Sequence, residues 1–583
     1  MTVTTSPTSQ EAESPVVTSI EAIAAPRLQH FDNLVSSPLL NGVYARTTED
    51  SLVEDIACLR SLAARLSLRL NRLRCPIMRL PPEIIQLIIY AVVDAVERSS
   101  GGPKHWMPLG RVCHIFRTTL LGMHALWARN AFTSDFAANE QLLERAHDAP
   151  IVIKLSPISS LARLELALQH LHRAREIVIA GNIQLNTIIP GLHEQCLPSL
   201  KSLKLRRDTN FRTAAETVYS IPQTFSAPNL RHLEFRNVFV QSSQCWPTNL
   251  VSLKLHRSSH TDVSHLPSPE SFLDILRSCV NLSELELKDY IPDLAQLSEA
   301  ERNNPISLTS LRRLNVDQDR VNTLRLWRML VISPSAVLKI AWEDEQSLEA
   351  HVEEASAFLA HVAAYNAVMP PVVSLQILGM HSESDNWLSF ELLGAYCGTG
   401  DAQRLKFSDV EWTNIAAFTF VTDLWTGDEL ASAIARFSSI FQLSQILHLS
   451  IDSDIVECLS EAGLPPSYAH FKALQTLHLS FCKTPDAFTP LGELYTLEPS
   501  ASAPTMLCPA LKTLYISNDD AIEDTDESFS FSTLLYSLHE TLSKRSESGV
   551  PVNVLELAFD TIEESDREYL SGVVDEIIFR TDP

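Results

Sequence analysis

Basic side chains stand beside paired leucines at several points of the sequence, and they are the residues whose types and spacing best suit binding chemistry. In four Leu-x-Leu or Leu-x-Phe pairs, six of the eight neighbouring positions are basic or can become so: Lys204, Arg206, Arg236, Lys254, His256 and Lys288. Ammonium and guanidinium groups hold carboxylates and phosphates through charge-assisted hydrogen bonds. We therefore predict that these six residues, which we call the basic strip, bind an acidic or phosphorylated segment of a target protein. The simpler interpretation, in which Lys and Arg alternate with Leu to keep strands soluble, stays open.

The sequence lacks the common catalytic motifs. It has no Gly-x-Gly-x-x-Gly, no phosphate-binding loop that ends in Gly-Lys-Ser/Thr, no His-Glu-x-x-His and no Gly-x-Ser-x-Gly. No two of its ten cysteines have the spacing of a zinc or redox pair, and the paired histidines at 170, 172, 256 and 260 lack neighbouring ligands. We therefore expect no enzymatic activity, no cofactor and no metal site. A hydrolase hidden in the irregular middle of the chain has no motif to support it.

A recurring leucine pattern must position the basic strip. Leu-x-x-Leu-x-Leu, or a variant ending in Phe, Val or Ile, begins at residues 200, 230, 250, 282, 311, 474 and 511, with looser copies at 405–407, 446–449 and 554–557. The last Leu-x-Leu alternates with period two, as a strand does. Helical patterns at 161–171, 271–278 and 532–542 fall between copies, with Ser271 and Asp274 in capping-box spacing. One strand and one helix per unit predict an α/β fold whose units stack on a continuous core.

This pattern resembles a curved, irregular leucine-rich-repeat solenoid, which we place at residues 148–583. The Asn or Cys expected three positions after the last leucine is present as Cys482 and is absent from the five copies between 200 and 316. Residues 320–440 fit the pattern poorly, so we expect long insertions there. An ordinary α/β domain rich in leucine is the alternative.

Residues 79–130 predict a small helical module. Pro81 and Pro82 suit the first turn of a helix, and Glu83 lies where the helix dipole favours an acid. The helix that follows is apolar nearly all round, and a second apolar pattern runs from Leu109 to Leu121. About 50 residues cannot hide so much apolar surface alone.

The module resembles the F-box, in the F-box-like form abundant in mushroom-forming fungi. The matching segments are Leu80-Pro81-Pro82-Glu83-Ile84, Val112-Cys113-His114-Ile115-Phe116 and Leu126-Trp127, with His114 in place of the usual Arg and Phe116 in place of the usual Trp. The resemblance implies docking to the Skp adaptor of a cullin-based ubiquitin ligase, while the repeats bind the target. The residues that would form or support the docking module are Leu80, Pro81, Ile84, Leu87, Ile88, Val112, Phe116 and Trp127. Alternatively, the two helices cap the next domain, and the chain is a repeat scaffold without a ligase.

The segments before this module differ sharply in composition. Residues 1–45 are rich in Ser, Thr, Pro and Ala, and we expect a disordered tail. Residues 46–78 predict a helix with a heptad seam: Leu52, Ile56, Leu59, Ala63, Leu66, Leu70 and Leu73. Its arginines, at 60, 65, 69, 72, 74 and 79, favour a solvated face over a membrane-binding or calmodulin-binding helix. A coiled-coil dimer stays open.

Charge and hydropathy exclude several partner classes. The chain has 46 Lys+Arg and 71 Asp+Glu, and its formal charge of −25 opposes binding to nucleic acid or to an anionic membrane. The polar N-terminus lacks the pattern of a secretory signal, and no apolar run approaches 18 residues. We expect a cytoplasmic or nuclear protein.

Overall fold

The chain divides after Met123 into two compact units, and the computed structural model describes most residues of both. The described residues are 15–35, 42–98, 105–132, 139–207, 219–222, 224–240, 247–258, 263–343, 348–368, 374–380, 386–395, 412–422, 427–441, 443–452, 455–456, 458–459, 467–480, 489–495, 504–517, 531–559 and 564–580. The looser leucine copy predicted at 405–407 and Cys482 lie outside them.

The first unit is helical throughout its described part. Its helices are α1 (Pro15–Val35), α2 (Gly42–Arg74), α3 (Pro82–Arg98) and α4 (His114–Gly122), with 3-10 turns at Pro76–Arg79 and Met107–Arg111. Helix α2 covers the segment in which the sequence predicts a helix, 46–78, as far as Arg74. Pro76 then starts a 3-10 turn, since proline cannot continue the hydrogen bonding of an α-helix interior.

The prediction of a disordered tail over residues 1–45 is wrong for α1. That segment contains the helix-favouring run Ile20-Glu21-Ala22-Ile23-Ala24-Ala25, which the high Ser, Thr and Pro content of its surroundings obscured. Arg27 donates from Nε to Asp55 of α2 at 2.6 Å and from Nη2 to Ser51 Oγ at 3.3 Å. The remaining residues of the predicted tail are outside the described part, apart from the start of α2.

The second unit contains a large, mostly parallel sheet with helices between its strands. Its helices are α5 (His124–Asn130), α6 (Asn139–Ala146), α7 (Leu161–Gln169), α8 (Asn182–Gly191), α9 (Pro269–Ser278), α10 (Glu299–Arg302), α11 (Arg320–Met329), α12 (Leu348–Ala355), α13 (Leu359–Val368), α14 (Gly427–Phe441), α15 (Phe531–Glu547) and α16 (Glu564–Ser571). Its strands are β1 (Ile151–Leu155), β2 (Ala174–Ala180), β3 (Ser202–Arg206), β4 (His232–Arg236), β5 (Ser252–His256), β6 (Glu284–Lys288), β7 (Ile306–Leu308), β8 (Arg313–Asp317), β9 (Leu330–Ile332), β10 (Val337–Glu343), β11 (Ser374–Met380), β12 (Asn386–Ala395), β13 (Trp412–Thr422), β14 (His448–Ile451), β15 (Thr476–Ser480), β16 (Leu494–Tyr495), β17 (Thr505–Met506), β18 (Thr513–Ser517), β19 (Val554–Ala558) and β20 (Glu576–Arg580).

Sixteen strands form one sheet, in the order β1-β2-β3-β4-β5-β6-β8-β10-β13-β12-β11-β14-β15-β18-β19-β20. All seven strict leucine motifs end on strands of this sheet, and equivalent leucines pair in register: Leu203 lies beside Leu233, which lies beside Leu253. These leucines are buried on one face. The predicted α/β class is therefore confirmed, and so are the strand positions predicted from the seven strict motifs.

The region predicted to carry insertions, 320–440, departs from the parallel pattern. Strand β12 pairs antiparallel with both β11 and β13, whereas β13 pairs parallel with β10 and β11 pairs parallel with β14. These three strands occupy consecutive places between β10 and β14. The sheet is therefore not interrupted in this region. The inward residues of these strands, such as Phe390 and Phe418, are buried like the leucines of the other strands.

Local hydrogen bonds correct the predicted helix cap and show a side-chain link between strand ends. Helix α9 begins at Pro269, and its cap is Ser268, whose side chain accepts from the Ser271 amide; Ser271 is therefore not the cap. Asn237, two positions after the last apolar residue of its motif, adopts a positive φ of 54°, and its Oδ1 accepts from the Ser258 amide at 2.6 Å. This bond links consecutive strand ends, as the expected Asn at the third position would.

Candidate functional site

The first unit leaves large apolar side chains uncovered on the helices of the predicted docking module. On α3, Ile85, Ile89 and Val93 recur every four residues and are buried, as expected for the side of a helix that faces its own core. Ile84 and Leu87 lie off this stripe and are 41% and 63% exposed. One side of α3 is therefore buried, while apolar side chains on another side stay exposed to solvent.

The short segment that joins the two helical patterns adds a third exposed residue. Val112 follows the 3-10 turn Met107–Arg111 and is 63% exposed. Pro81 is also exposed, and Leu80 and Ile88 are half-buried. Six of the eight predicted docking residues are therefore accessible in whole or in part.

Phe116 and Trp127 do not belong to this surface. Phe116 is 4% exposed and Trp127 is 2% exposed. Trp127 lies on α5, which belongs to the second unit. The Arg145 guanidinium lies 4.9 Å from the Trp127 ring centre within the second unit. Both aromatic residues are core residues that support the fold. The F-box resemblance implies a buried aromatic at Phe116, but it does not separate a core role from a docking role at Trp127.

The basic strip forms two adjacent columns on the face of the sheet opposite the leucines, as predicted. Lys204, Glu234, Lys254 and Glu286 lie side by side on β3 to β6. The neighbouring column contains Arg206, Arg236, His256 and Lys288 in the same order. The parallel register thus gathers residues that are up to 84 positions apart in the sequence.

Carboxylates within the sheet face neutralise much of the strip. Glu234 is buried between two guanidinium groups: its Oε1 lies 2.8 Å from Arg206 Nη2 and 3.0 Å from Arg236 Nε. The two arginines stay 41% and 46% exposed. At the other end of the strip, Lys288 Nζ lies 2.6 Å from Asp317 Oδ2. Arg206 and Lys288 pair with carboxylates on the neighbouring strand, whereas Arg236 pairs with Glu234 on its own strand, and all three cations stay at least 41% exposed.

Lys254 contacts two glutamates and shares one of them with His256. Lys254 Nζ lies 2.8 Å from Glu284 Oε1 and 2.9 Å from Glu286 Oε2, while His256 Nε2 lies 3.0 Å from Glu286 Oε1. The contacts with His256 and Lys254 lower the pKa of Glu286 to about 2, although burial opposes the shift. Burial also opposes the shift of Glu284, whose pKa is lowered by hydrogen bonds from Lys254 and Ser252. Both glutamates therefore keep their charge to a lower pH than an unperturbed glutamate would.

A third column on the same face was missed by the sequence analysis. It contains Ser202, His232, Ser252, Glu284 and Arg313. These residues precede the Leu-x-Leu pairs, and aligning the motif copies from their first leucine would have found them. Over β3, β4, β5, β6 and β8, the face has six Lys or Arg side chains and four carboxylates, a net charge of +2 with His neutral.

The other half of the sheet face contains a histidine between two serines. Ser450 Oγ lies 2.9 Å from His478 Nδ1, and Ser517 Oγ lies 2.9 Å from His478 Nε2. The Tyr515 ring stacks on the imidazole at 4.4 Å between ring centres. Both serines are buried, at 2% and 1% exposure. A serine nucleophile must be reached by its substrate, so this group acts as a hydrogen-bonded link between β14, β15 and β18.

The described part of the chain shows neither a metal-binding cluster nor a membrane-spanning helix. Within it, no cluster of three or more His, Cys, Asp or Glu residues has the arrangement of a metal site. None of the helices described above combines the length and the apolar character needed to cross a bilayer. Comparisons with protein-family models and with curated proteins gave no match. The assignment of a function therefore depends on the two surfaces.

Proposed function

We propose that this chain is a non-enzymatic substrate receptor of a cullin-based ubiquitin ligase. Its F-box-like module docks the Skp adaptor, and its leucine-rich-repeat sheet, in the form of an irregular solenoid, binds the protein to be ubiquitinated. The observation that carries the proposal is the exposure of Ile84, Leu87 and Val112 beside a core that Ile85, Ile89 and Val93 already fill. Ubiquitin transfer itself is performed by other subunits.

The physical argument concerns surplus apolar surface. Single exposed apolar residues are common, but several large ones on one small helical module mark a contact with another protein. The half-buried Leu80 and Ile88 and the exposed Pro81 occur on the same segment. An F-box uses these positions of its motif to contact the adaptor, so the motif and the exposure support the same role.

The sheet face is the proposed target site. Its net charge of +2 contrasts with the −25 of the whole chain, and Arg206 and Arg236 expose nearly half of their side chains. An acidic or phosphorylated segment would compete with Glu234 for these guanidinium groups. Because Glu234 already holds them in place, the strip is preorganised for oxygen anions at little entropic cost.

Affinity purification from fungal cells tests the docking half of the proposal. The tagged chain is expected to recover the Skp adaptor and a cullin, and Leu80→Ala with Pro81→Ala is expected to lose both. The control is Ile158→Ala with Leu161→Ala, which removes residues of 79% and 64% exposure from the second unit. Recovery of neither subunit by the wild-type chain would favour the alternative, a repeat scaffold without a ligase.

Charge neutralisation tests the target half. Arg206→Gln, Arg236→Gln and Lys254→Gln together are expected to abolish target capture while adaptor binding persists. The matched control removes the same charge from exposed positions elsewhere in the second unit, through Arg328→Gln, Lys472→Gln and Lys512→Gln. Unchanged capture by the first variant would dismiss the basic strip as the target site.

A further inference from the structure

The heptad seam of α2 is exposed along most of the helix. Ile56, Leu59, Leu66, Leu70 and Leu73 are between 42% and 71% exposed, with α1 in place against the same helix. Ala63 is exposed and Leu52 is half-buried. An apolar stripe of alternating three- and four-residue spacing over about three heptads is the pattern of a coiled-coil interface. Within the first unit, α1 does not cover it.

The charges of α2 are segregated along its length. Residues 49–55 contain four acids, Glu49, Asp50, Glu54 and Asp55, and no base. Residues 60–74 contain five arginines and no acid. This helix is therefore complementary to itself when a second copy runs in the opposite direction. A parallel pair would place the two arginine-rich halves side by side.

We infer that α2 forms an antiparallel coiled coil with α2 of a second copy of this chain. Centring the pair on residue 61 aligns the seam: Leu52 meets Leu70 of the second copy, and Ile56 meets Leu66. Asp55 then approaches Arg69 of the second copy along the flank of the seam. In the same register the acidic residues 49–55 lie beside residues 67–73 of the second copy, which contain two arginines.

The inference is independent of the proposed function. It concerns α2 alone, whereas the proposed docking surface comprises Leu80, Pro81, residues of α3 and Val112. A dimer would give a substrate receptor two target sites in one particle, and binding to a target with two motifs would then gain from avidity. A seam of three heptads with one alanine is short, so we expect dissociation at roughly micromolar concentrations.

Sedimentation equilibrium of the full chain tests the association. The wild-type chain is expected to show twice its mass of 65.0 kDa at 100 micromolar. Leu59→Glu with Leu66→Glu is expected to be monomeric, while helicity by circular dichroism stays unchanged because both side chains are exposed. The matched control, Ser61→Glu with Ala64→Glu, adds the same charge to exposed positions outside the seam. A monomeric wild-type chain, a dimeric seam variant or a monomeric control would each overturn the inference.

Cross-linking with a short bis-maleimide tests the orientation. Leu52→Cys and Leu70→Cys are prepared as separate variants of a chain that carries Cys58→Ala and Cys75→Ala, because Cys58 is exposed on α2 itself and Cys75 follows it; this parent chain gives the background. In the antiparallel pair, residues 52 of the two copies are about 27 Å apart, and so are residues 70, because each residue of a helix advances by about 1.5 Å. The mixture of the two variants is therefore expected to cross-link, and neither variant alone. Efficient cross-linking of either variant alone would show a parallel pair.

Discussion

Replacing Arg545 with methionine tests how the far end of the sheet domain is held together. Arg545 lies on α15 and is fully buried. Its guanidinium donates to the carbonyl oxygens of Leu491 at 2.9 Å, Leu507 at 2.8 Å and Cys508 at 2.9 Å. It thus joins α15 to two other segments of the chain, 489–495 and 504–517. Methionine keeps much of the volume but leaves three buried carbonyls without these donors.

The expected magnitude follows from those three acceptors. A buried carbonyl that loses its donor costs about 1 kcal/mol or more, so Arg545→Met should lower the free energy of local opening by about 3 kcal/mol. That corresponds to exchange of protected amides roughly a hundred times faster. Hydrogen exchange with mass spectrometry on peptides from 489–495, 504–517 and 531–547 measures it.

The neighbouring Lys544 provides a matched control. It lies on the same helix, is 43% exposed and pairs only with Glu540 one turn away, among the contacts of the described residues. Lys544→Met removes the same charge and should leave the exchange rates unchanged. Exchange of Arg545→Met within threefold of the wild-type chain would refute the reasoning. It would show that burying the guanidinium costs as much as its hydrogen bonds contribute.

Two further predictions concern the ion pairs of the sheet face. The pKa of Glu286 is lowered to about 2 in the folded chain, so the stability it contributes is present above its unfolded value of about 4.5 and is lost as pH falls towards 2. Glu286→Gln should therefore lose less thermal stability than the wild-type chain between pH 4.5 and 2. The variant should also be about 1–2 kcal/mol less stable at pH 7, after allowance for solvent screening. An equal loss of stability with falling pH in the variant and the wild-type chain would contradict this. Glu234→Gln should cost about 1–2 kcal/mol in urea unfolding, because two guanidinium groups lose one buried carboxylate. Arg236→Gln should cost less, because Arg206 still pairs with Glu234, and equal losses would show that the two arginines do not share the charge.

The parallel strands could be predicted because their information is local. Each Leu-x-x-Leu-x-Leu fixes which residues face the core, and copies of the same motif pair in register, as Leu285 does with Leu253 and Leu314. The antiparallel strands β11, β12 and β13 could not be found this way. They lack the motif, and their pairing depends on segments far apart in the chain.

The candidate surfaces were predictable to different degrees. The columns of the basic strip follow from strand register alone, but their ion pairs do not, since Asp317 and Glu284 lie outside the Leu-x-Leu pairs that defined the strip. On α3 the sequence indicated more apolar surface than one core needs, without deciding which residues were surplus. Packing decides that question, and it buries Phe116 and Trp127 while leaving Leu87 and Val112 exposed.

The affinity of the purified full chain for a recombinant fungal Skp adaptor, measured by isothermal titration calorimetry, tests the central claim most directly. Leu87 and Val112 are both 63% exposed, so burial of each on binding contributes about 1 kcal/mol. Leu87→Ala with Val112→Ala is therefore expected to weaken binding by about 2 kcal/mol, roughly thirtyfold in Kd. Ile158→Ala with Leu161→Ala, which removes comparable exposed surface from the second unit, is expected to bind like the wild-type chain. Absence of binding by the wild-type chain, or equal affinity of the two double variants, would contradict the account.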